Sequence, residues 1–218
     1  MKGQPTQIPD PNVLKSAIGL RVSKGGAVAV GLTVDEGEPR VLLSTFLKTS
    51  ADGDRLSLEP YGVAFEMAAG SRGASAQAVA AVAEGRRRQD ELAAKVLEDI
   101  IRELKKAGRA PIITALLVNR AGWITDLLQY SLAFADHVAV AEGLAVREAF
   151  RFACRRCGID AVELDEKTLP EAGAETLHLP TAEVDAHLKM LGVTAGKPWR
   201  KEQKLACLAA WVAIAGAR

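Results

Sequence analysis

Three runs rich in apolar and β-branched residues open the chain, at residues 17–24, 27–34 and 40–48. In the first, Ile18, Leu20 and Val22 alternate with Gly19, Arg21 and Ser23, the period of a strand with one buried face and Arg21 on the other. The second, Ala27-Val28-Ala29-Val30-Gly31-Leu32, is apolar almost throughout, as befits a strand covered on both faces or central in its sheet. Lys24-Gly25-Gly26 and Asp35-Glu36-Gly37-Glu38-Pro39 join the three runs, and both read as hairpin turns.

Downstream the period changes. After a polar loop at 49–59, Pro60-Tyr61 opens a short helix through Met67, with Pro60 suited to a first helical position. A long helix is predicted over 75–106, interrupted at Gly85-Arg86-Arg87-Arg88; in its second half Leu92, Val96, Leu97, Ile100, Ile101 and Leu104 form one apolar stripe. Residues 111–118 are a short apolar run between turn signals, a buried strand adjoining the first, closed by Asn119-Arg120-Ala121-Gly122. A helix over 124–134 follows, then one capped by Asp136 and running to Arg156, where Gly158 stops it. A fifth strand at 159–164, a short helix near 181–191 and a last helix over about 200–215 complete the order. The pattern β-β-β-α-β-α-β-α predicts an α/β fold, a five-stranded mixed sheet flanked by helices. Residues 1–16, with Pro5, Pro9 and Pro11, read as an extended arm, and 17–218 as a single domain.

Composition narrows the function classes. The 28 Lys and Arg residues nearly balance 27 Asp and Glu, for a net charge of +1, so no general surplus attracts phosphate and any nucleic-acid contact must come from a local patch. No apolar run is long enough to cross a membrane, and the polar start Met1-Lys2-Gly3-Gln4-Pro5 lacks the apolar centre of a secretion signal; the cytoplasm is the expected compartment. Three cysteines make no disulfide framework, and the Cys154-x-x-Cys157 pair lies inside a predicted helix without a second pair to complete a zinc site. It reads as structural.

Two carboxylates stand out. On the helix ending at Arg156, Val138, Ala141, Ala145, Ala149 and Phe152 fall in one angular sector, and Glu142 falls among them. A carboxylate aimed at a core must find a cation, a hydrogen-bond donor, a metal or a polar cleft; it reads equally as catalytic or as part of a structural pair. Glu202 precedes Leu205 and Ala209 by about one and two turns at the start of the last helix, where the helix dipole favours a carboxylate in either role. Just ahead, Lys197-Pro198-Trp199-Arg200-Lys201 combines cations with an aromatic face suited to phosphate and base contact, although Trp199 serves equally to cap the core. The charge runs Arg86-Arg87-Arg88 and Arg155-Arg156 read as solvated helix faces. Gly192 to Lys197 is one residue short of a phosphate loop, with Pro198 where its hydroxyl belongs. His137, His178 and His187 lack ligand spacing.

The strand Ile18-Gly19-Leu20-Arg21-Val22-Ser23 resembles the Ile-Gly-Ile-Asp-Pro-Gly opening of the Holliday-junction resolvase and resolvase-like branch of the ribonuclease H-like superfamily. Arg21 stands where that superfamily has a metal-binding aspartate. A second acid typically ends its fourth strand; here that place falls at Asn119. Its acids at the start of the last helix have Glu202 as nearest match. Gly19–Val22, Glu142-Gly143 with Arg147, and Pro198-Trp199-Arg200 followed by Ala209-Ala210-Trp211 are similar to the motifs of an uncharacterised bacterial family.

The resemblance implies a ribonuclease H-like fold and leaves three functions. One is a catalytically degenerate member that binds nucleic acid or a protein partner, with Arg21, Lys24, Asn119, Arg120, Arg147, Lys197, Trp199 and Arg200 as binding residues and no cofactor or metal. The second is a metal-dependent nuclease in which Glu142 and Glu202 are catalytic, joined by Asp165 or Glu166, with Mg2+ or Mn2+ as cofactor. Two-metal cleavage needs carboxylates holding cations about 4 Å apart, and Arg21 places positive charge there. A phosphate binder of the actin-like or sugar-kinase-like kind ranks last, since its phosphate loops are absent from the sequence and the chain is about half the size expected.

Overall fold

The computed structural model describes residues 14–68, 73–119 and 123–217. Five strands, β1 (Leu14–Ser23), β2 (Gly26–Asp35), β3 (Glu38–Lys48), β4 (Arg109–Val118) and β5 (Asp160–Asp165), form one sheet in the order β3-β2-β1-β4-β5. The three N-terminal strands are an antiparallel meander, while β4 and β5 run parallel to β1. Each parallel neighbour is reached through a helical crossover: α3 (Ala76–Lys106) before β4 and α5 (Ala135–Cys157) before β5. The predicted mixed sheet and element order are met. β1 starts at Leu14, so the last residues of the expected arm belong to the sheet; residues 1–13 lie outside the described residues.

Both predicted hairpins form. Ser23 pairs with Gly26 and Asp35 with Glu38, each across a two-residue loop. In the second loop Glu36 and Gly37 both take positive φ, 51° and 89°, the backbone whose twist matches a tight hairpin.

β1 is the central strand, and β2 beside it is covered on both faces, as its apolar run implies, with Val30 and Leu32 in one layer and Ala27 and Ala29 in the other. Ala17, Ile18 and Leu20 are all fully buried, so both faces of β1 are covered, contrary to the one-sided reading of its alternation. Ala17, Ala115 and Leu117 face α8 (Lys201–Gly216), whereas Ile18, Leu20 and Leu116 face α3 and α5. The sheet is thus sandwiched between two helical layers. Gly19 makes the first layer possible: a Cβ there would lie 1.8 Å from the Ala206 carbonyl oxygen of α8.

Several helical expectations need correction. Within the supposed polar loop, Arg55–Leu58 form α1, whose first turn is capped by the Asp54 carboxylate accepting from the Leu56 amide. α2 (Pro60–Met67) follows as expected. α3 is not interrupted at Gly85; a Cβ there would meet the Leu56 oxygen and Pro60 at 2.5 Å, so this glycine is a notch admitting the α1–α2 corner rather than a break. α4 spans only Leu127–Ala133, capped by Asp126. Phe134, not Asp136, occupies the N-cap of α5. Leu169–Leu177 form α6, which the sequence pattern missed, and α7 extends over Thr181–Ala195. Among the described residues no helix is long and apolar enough to cross a membrane.

Candidate functional site

Because β1, β4 and β5 are parallel, their carboxyl ends meet on one edge of the sheet, the place where open α/β folds form crevices. There Arg21 and Val22 from β1, Leu117, Val118 and Asn119 from β4, and Asp165, Glu166 and Lys167 from β5 line a cleft of about 720 Å³. Arg147 of α5, Pro170 of α6, and Lys201 and Leu205 of α8 complete its walls.

Four cations, Arg21, Arg147, Lys167 and Lys201, face two carboxylates, Asp165 and Glu166. Arg21 grips Glu166 with two parallel bonds, Nε to Oε2 and Nη2 to Oε1, both 3.1 Å. Glu166 is therefore already engaged, and the fork fixes the plane of the guanidinium. Arg147 is only 9% exposed. Its Nη2 donates to Asn119 Oδ1 at 2.5 Å, while its buried Nε has no partner. Burial, reinforced by the neighbouring Arg151, lowers the affinity of this guanidinium for its proton. A buried cation held by one neutral amide favours an added anion. Among the described residues no group of three His, Cys, Asp or Glu side chains is placed to hold a metal ion.

Glu142 lies elsewhere. It is fully buried, as its helical sector implied, but what it meets is backbone: Oε1 accepts from the Tyr61 and Gly62 amides at 2.8 and 2.9 Å. α2 has no side-chain cap of its own and begins with Pro60, which has no N–H; Glu142 satisfies the next two orphan donors from α5. Oε2 has no hydrogen-bond partner. Burial pushes the carboxyl up to about 7 against the opposing pull of the two amides.

Arg21 pairs with neither Glu142 nor Glu202; its partner is Glu166, which follows β5. Glu202 sits half-buried in the first turn of α8, outside the lining of the cleft. Lys24 is taken up by Glu59 at 2.5 Å. Trp199 is structural in its contacts. Its Nε1 donates to the Leu188 carbonyl at 2.8 Å and its ring covers Gly192, where a Cβ would come within 2.2 Å. Lys197 and Arg200 are exposed and lie outside the cleft lining. Arg120 lies outside the described residues. Arg87 and Arg88 pair with Glu84, Glu91 and Asp54, as a solvated helix face does. Of the candidates, then, Arg21, Asn119 and Arg147 converge. Sequence reasoning passed over Lys167 and placed Lys201 only in a general basic segment; the usable signal was position, directly after a parallel strand and at the start of a helix packed on that strand's neighbours.

No family model and no curated protein sequence matches the chain. Solved structures do. The chain is similar to a structure of Thermus thermophilus RuvC at 12% identity and TM-score 0.53, covering 93% of this chain and 95% of that one. It is similar also to T. thermophilus RuvC in complex with Holliday junction substrate, at 10% identity and TM-score 0.54, covering 94% and 95%. With the five-stranded mixed sheet and its two helical layers, these likenesses identify the fold as ribonuclease H-like.

Proposed function

We propose that this protein binds the phosphodiester backbone of nucleic acid in the cleft at the ends of β1, β4 and β5, and does so without divalent metal and without cutting. The observation that carries the reading is the charge of the cleft: four cations against two carboxylates, one of them held bidentate by Arg21. Such a lining attracts phosphate and repels a divalent cation. Arg147 supplies the more buried donors, while Lys167 and Lys201 supply exposed charge at the rim. The recorded complex of T. thermophilus RuvC with Holliday junction substrate supports nucleic acid as the ligand class, since it shows a protein of this fold carrying it.

The donor set, with Arg21 and Arg147 beside Asp165 and Glu166, does not suit the metal pair on which two-metal phosphodiester cleavage relies. The test is fluorescence anisotropy with labelled duplex, four-way-branched and single-stranded DNA and RNA at low salt, with and without Mg2+ or Mn2+, and with the products run on a denaturing gel. Binding that ignores the metal and leaves the strands intact is expected. Metal-dependent cutting that disappears in Glu166→Gln overturns the reading in favour of a nuclease. Absence of binding to every nucleic acid overturns it in favour of a protein partner.

A further inference from the structure

Arg147 belongs to two cavities. Besides the strand-end cleft, its side chain lines a second one of about 650 Å³ between α2–α3 and α4–α5, together with Arg86, Arg151, Tyr61 and the first residues of α4. The two cavities share this buried arginine as a common wall. Arg86 and Tyr61 line the same cavity, and Arg151 is held by Glu148 and Glu163.

A row of rings runs along α4, from Trp123 ahead of it through Tyr130 within it to Phe134 and His137 at the start of α5, in a chain with only 5% aromatic residues. Trp123 is 71% exposed and meets Tyr130 edge-on at 5.6 Å; Tyr130 stacks on His137 at 3.9 Å; Phe134, 67% exposed, meets His137 edge-on at 5.0 Å. His137 Nδ1 lies 2.9 Å from the Tyr130 carbonyl, which holds the stack in place. Leaving such rings in water forgoes the burial free energy that large aromatic side chains normally supply. Trp123 directly precedes Ile124 on the wall of the second cavity, and Tyr130 shares α4 with its lining residues Leu127 and Leu128; rings leading away from a cavity that holds arginines match the two parts of an unpaired strand, phosphates for the guanidinium groups and free base faces for the rings. In a duplex the base faces are already stacked on one another.

We infer that the strand-end cleft continues past Arg147 into the second cavity, and that the two together take one single-stranded nucleic acid, with phosphates on the arginines and bases on the aromatic row along α4. This rests on the nucleic-acid reading above and adds to it the strandedness and the path.

The test is anisotropy titration of the full chain with oligothymidylate, oligouridylate and duplex DNA, comparing wild type with the Trp123→Ala/Phe134→Ala double variant and with Lys167→Ala/Lys201→Ala. Both rings removed are solvent-exposed, so the first variant keeps its fold, checked by circular dichroism. Tighter binding of single strands than of duplex is expected, with a loss of about tenfold or more on single strands in the aromatic variant and little change on duplex. Preference for oligouridylate identifies RNA as the source of the strand, and preference for oligothymidylate identifies DNA. Single-strand affinity unchanged by removal of the rings overturns the inference while leaving the strand-end cleft as a binding site. Binding that survives intact in the lysine variant overturns the cleft itself.

Discussion

Arg21 and Glu166 face each other across the carboxyl ends of β1 and β5, two strands separated in the sheet by β4, and are joined by paired 3.1 Å bonds. Their side chains are 26% and 30% exposed, so the pair contributes modestly to stability, about 1 kcal/mol or less. Its larger effect is on the cleft, because Glu166 cancels the charge of Arg21.

Glu166→Gln should therefore tighten nucleic-acid binding severalfold while shifting the midpoint of thermal unfolding by only a few degrees. Arg21→Ala should weaken binding at equal stability. Affinities from anisotropy and melting curves from circular dichroism check both; looser binding in Glu166→Gln would show that the carboxylate serves the ligand rather than restraining the arginine.

Salt dependence separates the cleft cations from their neighbours in sequence. Lys167→Ala or Lys201→Ala should each make the plot of log affinity against log salt shallower by about 0.7 on single strands or 0.9 on duplex. Lys197→Ala and Arg200→Ala, outside the cleft lining, should leave the slope unchanged.

Glu142 makes stability depend on pH. Its carboxyl is pushed up to about 7 in the folded protein against an ordinary 4.5, so the folded state holds the proton more firmly than the unfolded chain. Relative stability from this group is fully present below about 4.5 and is lost as pH rises through 7, a change on the order of 3 kcal/mol. Glu142→Gln keeps an acceptor for the Tyr61 and Gly62 amides and should flatten that slope, being at least as stable as wild type at pH 8. Glu142→Ala, which strands both amides, should cost about 1–3 kcal/mol for each donor left buried. Urea unfolding at pH 5, 6, 7 and 8 reads all three.

Gly19→Ala tests the closest contact in the core. Its Cβ would fall 1.8 Å from a backbone oxygen of α8, and neither the central strand nor a buried helix can step aside, so destabilisation at or beyond the upper end of the roughly 1–3 kcal/mol typical of overpacking is expected. A variant that melts within a few degrees of wild type would show that α8 shifts on the sheet.

The order of the strands along the chain, the two hairpin loops, the apolar stripe of α3 and the stop at Gly158 were legible because each depends on residues close in sequence. So was the burial of Glu142, since a helix's period places a residue on a face whatever covers that face. Which groups would meet was not legible. Arg21 finds Glu166 rather than Glu142 because β5 inserts parallel beside β4 and brings the residue after its end to the mouth of the cleft, 145 positions away in sequence. Glu142 finds backbone amides because α2, lacking a cap of its own, packs its N-terminus on α5. Gly85 looked like a helix breaker because propensity counts only the cost of a missing side chain; the α1–α2 corner resting in the space it leaves is a tertiary fact. Periodicity determined which face of the amphipathic helices turns inward, for that is settled by local geometry. The partner of each inward charge was decided by the topology of the sheet and the layering of the helices, because electrostatic pairing follows distance in space.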